Sequence, residues 1–185
     1  LLGAAWVVMV FLLVSIAAGR GRTATSRPWS DRRWLSLLLW LGLAALWTWP
    51  ALTSGPDKLV GRHFDLLGTI WSIASAPRLL HGLVDGSTGW PVTADYSRFD
   101  SYLLLPIAWL FQWVDPARLH GLLQVIGVAV SAWAAERLAL HLGARPPWTY
   151  LAGLGFGFSG LAANALLEGH VYHLLNPWLP LFALL

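Results

Sequence analysis

Few side chains in this sequence can do acid–base or metal chemistry: its 185 residues hold nine carboxylates, six histidines and no cysteine. Without a thiol there is no disulfide framework, no thiolate metal site and no cysteine nucleophile. Two acids stand out by position. Glu168 directly follows the long uncharged run 148–167, where a carboxylate near a bilayer boundary is costly unless it is wetted, paired or useful. Asp65 opens a helical pattern with Arg62 and His63 beside it. Its position on the outer side of the chain's apolar runs makes it suggestive, but from spacing alone an Asp at a helix start is first a routine N-cap.

The spacing His170-x-x-His173 places two imidazoles on one helix face, and with Glu168 nearby they form a candidate set for a divalent metal. Ordinary hydrogen-bonded surface histidines are the simpler reading. Lys58, Arg62, Arg78 and Arg98 are the basic side chains of the loop 53–101, and Lys58 and Arg98 read most simply as solvated loop residues. Trp71 and Trp90 are aromatic plates on which a sugar can stack. Asp57, Asp85, Asp95 and Asp100 read as solvated loop residues. The string Gly155-x-Gly157-x-x-Gly160 matches a dinucleotide fingerprint in letters only, since no strand precedes it and no acid follows at the right distance. Gly153, Gly157, Gly160 and Asn164 instead share one helical face, and small residues at that spacing let helices approach closely in lipid.

The elements that must position these residues are apolar. Hydrophobic residues make up 57% of the chain and charged ones 11%, with 13 Trp and a mean hydropathy of +0.60, which excludes disorder and disfavours a soluble domain. Residues 1–18, 34–52, 119–135 and 148–167 read as membrane spans. Both ends of the chain look cut, as in a fragment of a longer protein. The formal net charge of +3 does not imply nucleic acid, because Arg20, Arg22, Arg27, Arg32 and Arg33 crowd one short loop, 19–33, and mark it as cytoplasmic.

The loop 53–101 then lies outside the membrane, with a short amphipathic helix over 65–76. Leu66, Ile70 and Ile73 form its apolar side, Asp65, Gly68, Thr69 and Ser72 its polar side, and Pro77 limits it. Residues 102–114 are apolar but short for a crossing. If they do not cross, 119–135 runs inward to a cytoplasmic Arg137 and Arg145, and Glu168 emerges on the outer side. If they do, Glu168 is cytoplasmic. The fold class expected is all-α: a polytopic transmembrane helical bundle with an amphipathic helix in a long outer loop.

Four segments carry a resemblance: His63-Phe64-Asp65-Leu66-Leu67-Gly68-Thr69-Ile70-Trp71, Leu103-Leu104-Leu105-Pro106, Phe156-Gly157-Phe158-Ser159-Gly160 and Glu168-Gly169-His170. In layout they resemble the amino-terminal part of bacterial multi-pass GT-C-type glycosyltransferases, relatives of protein O-mannosyltransferases and aminoarabinose transferases, over residues 34–185. The resemblance implies an inner-membrane enzyme that takes a sugar from a polyprenyl-phosphate donor, held with membrane lipid, and passes it to an acceptor at the outer face. It implies that Asp65 is the first-loop acid that takes the proton of the acceptor hydroxyl, that Glu168 is a second outer acid, and that Lys58, Arg62, Arg78 or Arg98 supplies the cation for the leaving lipid phosphate. Two departures are visible: no second acid adjoins Asp65, and the span 1–18 precedes the family's usual first helix. A lipid or saccharide transporter, or a non-catalytic membrane assembly protein, would use the same spans.

Overall fold

The computed structural model describes residues 33–53, 55, 58–62, 64–80 and 104–170. The first span, the basic loop up to residue 32, and His63, Arg98 and His173 lie outside the described residues, as do Trp90 and the acids at 57, 85, 95 and 100. All regular structure among those described is helical.

Helix α1, Arg33–Trp47, and the short α2, Trp49–Leu52, together occupy the run expected as one span. They part at Thr48, because Pro50 has no N–H to donate and its ring excludes the carbonyl four residues before it. Thr48 compensates by directing both its N–H and its Oγ1 to the Ala44 carbonyl, at 2.8 and 2.7 Å.

Helix α3 covers Phe64–Leu80. It begins one residue before Asp65, which therefore stands in the first turn and not at the cap, and it continues past Pro77 where the sequence reading ended it. Packing outweighs the lost hydrogen bond: Ile73 and Ala76 are buried with Ala108, Leu119 and Leu123 in one cluster. The buried stripe is Leu66, Thr69, Ile73 and Ala76, so Thr69 belongs to the packed face and not to the polar one. Helix α4, Leu104–Leu110, has seven residues. Its length of about 10 Å is a third of a hydrocarbon core, and it lies along α3.

Helix α5, Pro116–His141, is the axis of the fold, packed by α1, α2 and α3. Asp115 caps it by accepting from the Arg118 N–H at 3.0 Å, with Pro116 in the first turn. The helix runs well past residue 135, so Glu136, expected beyond the span, lies inside it and is buried.

The run 148–167 is two helices, α6, Trp148–Gly157, and α7, Gly160–Glu168. The break follows from local chemistry. Three glycines weaken the helix around Phe158, and Ser159 turns extended so that its Oγ accepts from the Ala162 N–H at 3.3 Å. Phe158 fills the space against Trp40 and Trp47. The expected four-residue small face is consequently halved. A Cβ on Gly153 would stand 2.5 Å from the Trp40 ring, and one on Gly157 2.5 Å from the Ala132 Cβ, whereas Gly160 has nothing within 4 Å and Asn164 is exposed.

Contacts set the directions. Ser36 and Trp40 meet Glu136, Gly157 meets Ala132, and Gly169 meets His120, so α1 and the α6–α7 pair run antiparallel to α5. Arg33, Arg137 and Arg145 thus gather at one end of the bundle, and Arg62, Asp115, Arg118 and Glu168 at the other. Among the described residues two stretches are long and apolar enough to cross a membrane, Pro116–His141 and Trp148–Glu168. The first is mostly enclosed by its neighbours, while the second turns Leu151, Leu154, Leu161 and Leu167 outward.

Candidate functional site

The turn that ends α7 collects most of the described candidate residues. Its geometry starts with Gly169, whose φ of 76° no other residue adopts cheaply. The His170 N–H reaches back to the Ala165 carbonyl at 2.8 Å and the Gly169 N–H to Leu166 at 3.2 Å, the paired bonds of a Schellman stop. A Cβ on Gly169 would lie 2.8 Å from the Leu66 Cβ, so the turn also needs a residue without a side chain to let α3 approach.

Two further hydrogen bonds clamp it. The Arg62 N–H donates to the Leu167 carbonyl at 2.7 Å, which joins the strand of chain entering α3 to the end of α7. From α5, His120 Nε2 lies 3.0 Å from the Gly169 carbonyl. Because a carbonyl only accepts, Nε2 carries the proton in this contact. On the turn itself, His170 Nδ1 is 3.2 Å from Glu168 Oε2, an arrangement that orients the carboxylate and becomes an ion pair when the imidazole is protonated.

The structure therefore brings together, about a hundred residues apart in sequence, the backbone on either side of Asp65 and the turn bearing Glu168 and His170. Arg62 joins them through its backbone, and Lys58 is exposed just before it. Arg78 is not brought there, since thirteen residues of α3 separate it from Asp65, about 20 Å along the axis. Trp71 is half-buried in α3. Among the described residues no group of three His, Cys, Asp or Glu side chains is placed to hold a metal ion.

Three polar residues of α5 escaped the sequence reading. His120 and Gln124 are one turn apart on the same face and are 1% and 0% exposed. Among the described residues neither amide atom of Gln124 has a hydrogen-bond partner. The available signal was their i, i+4 spacing in an otherwise apolar run. The third, Glu136, accepts from Ser36 Oγ at 2.8 Å and from Trp40 Nε1 at 2.5 Å, both on Oε2. It lies sixteen residues from His120, about 24 Å along the helix, and so belongs to the opposite end of the bundle.

No protein family, curated protein or solved structure matches this chain.

Proposed function

We propose that this chain is part of a membrane-embedded glycosyltransferase of the GT-C kind, with its reacting centre at the Gly169 turn. The observation that carries the reading is the backbone junction of Arg62 with Leu167 and of Leu66 with Gly169. It brings the start of α3, with Asp65, to the turn that holds Glu168. The outward-facing apolar side chains of α6 and α7 support a lipid setting.

In the proposed reaction an acceptor hydroxyl attacks the anomeric carbon of a lipid-linked sugar. The new C–O bond forms as the bond to the polyprenyl phosphate breaks, and Asp65 takes the hydroxyl proton. The phosphate leaves with the bonding electron pair, and Arg62 or Lys58 offsets its charge. Glu168, oriented by His170, binds the acceptor or donor hydroxyls. A donor whose tail remains in lipid suits a site at the end of a bundle.

The test is Asp65→Asn in the full-length protein. An acid in a first turn interacts with the helix dipole by about 0.3–1 kcal/mol, so a merely structural Asp65 tolerates the amide with little change in protein level. As general base it does not, and glycosyl transfer should fall by a factor of about 100 or more. Transfer at the wild-type rate in that variant refutes the role.

Glu136 favours a second reading. A buried carboxylate inside an apolar helix is a mark of transport pathways, and a lipid or saccharide transporter would need it. Glu136→Gln should abolish substrate movement across sealed vesicles under that reading and leave glycosyl transfer within about two-fold under the first, since the amide still accepts from Ser36 and Trp40.

A further inference from the structure

We infer that His120 is the positioning residue of the site: its hold on the Gly169 carbonyl sets where the Glu168–His170 turn stands relative to the helix start beside Asp65. The consequence for catalysis rests on the glycosyltransferase reading, whereas the placement itself does not.

The restraints on the turn differ in what they refer it to. The Schellman bonds are internal to α7. The Arg62 bond and the Leu66 contact tie it to α3 and the chain before it. The His120 bond is the hydrogen bond shown between the turn and α5 among the described residues, directional where the packing of Ala165 and Leu166 near Val125, Val128 and Ala129 is not, and α5 is the helix against which α1, α2, α3 and α6 are packed. Because α3 is itself packed on α5 through Ile73, Ala76, Leu119 and Leu123, the His120 bond also fixes the turn relative to α3, and without it the junction at Arg62 and Leu66 opens more readily. Both partners are buried, so a substitution lacking a donor strands a carbonyl away from water, which is the expensive way to lose a hydrogen bond. His120 is suited to the task by reach, because its ring nitrogen spans from one helix backbone to a carbonyl on another while filling the volume between them.

These 185 residues hold no cysteine, so a pair introduced among them reports the placement once any cysteine elsewhere in the full-length protein is replaced. Arg62 and Leu167 are joined by a backbone hydrogen bond and both are exposed, so cysteines at these two positions lie within disulfide reach. In membranes containing the full-length Arg62→Cys/Leu167→Cys protein, oxidation should link the pair readily. Adding His120→Leu should slow linkage by about ten-fold, the scale set by one buried hydrogen bond. His120→Gln, whose amide N–H can reach the same carbonyl, should restore it to within about two-fold. His120→Asn keeps a donor on a shorter arm and serves as the non-reaching variant where His120→Leu does not accumulate. In the enzyme without the two introduced cysteines the same substitutions should lower kcat with KM little changed, again with rescue by Gln and not by Asn. Linkage unaffected by both Leu and Asn, or not rescued by Gln, overturns the inference. A wild-type protein that transfers no sugar sinks the glycosyltransferase reading alone, because the linkage experiment still decides the positioning.

Discussion

Gly169 shows how little latitude a single residue has at the candidate site. Its φ of 76° and the approach of Leu66 to 2.8 Å from the position of a Cβ are two separate objections to any side chain. Gly169→Ala should lower stability by about 1–3 kcal/mol from the left-handed backbone and the overpacking together. Thermal unfolding of the purified protein checks this, and an unchanged melting temperature would contradict the geometry. The requirement was readable in the string Glu168-Gly169-His170 only as a likeness. Its cause, a helix stop with α3 laid across it, is tertiary. Gln124 teaches the converse lesson, since a polar residue in an apolar run was visible but its complete burial, with no partner among the described residues, was not.

At the scale of elements, the α5–α6 contact illustrates which part of a small-residue pattern does the packing. Gly157→Leu drives a side chain into Ala132, where even a Cβ finds only 2.5 Å, and should destabilise by at least about 1–3 kcal/mol. Gly160→Leu, open on all sides, should stay within about 0.5 kcal/mol. Detergent-solubilised melting curves of the two variants separate them, and equal losses would mean that the glycines act as one face after all. Periodicity placed both residues on one stripe because it assumes a continuous helix, and the Ser159 cap ends that assumption after Gly157. The same limit explains α1 and α2, where Pro50 interrupts an apolar run that composition alone reads as unbroken.

For the whole molecule, the two ends of the bundle differ in charge: Arg33, Arg137 and Arg145 at one, Arg62, Arg118, Asp115 and Glu168 at the other. A membrane protein with this distribution keeps the first end in the cytoplasm. Lys58→Cys should then react with an impermeant thiol reagent in intact cells and Leu142→Cys should not. The opposite pattern would move the Glu168 turn to the cytoplasmic side and remove it from an outer-face donor. The seven residues of α4 bear on the same question, since a helix of that length packed along α3 leaves α3 and the start of α5 at one end of the bundle.

What the sequence by itself determined is everything that depends on local order. Apolar runs without charge become helices, and the absence of Cys among these residues removes a whole class of chemistry. Residues 65–76 were legible as helix for the same reason, because turn-by-turn periodicity is a property of neighbours along the chain. Only the tertiary structure decided which faces are buried, that Glu136 is enclosed by Ser36 and Trp40 from a helix about a hundred residues earlier, and that His120 reaches Gly169. Those pairings depend on how α5 is surrounded. Burial against a partner helix leaves no periodic trace when, as in α5, nearly every face finds a partner.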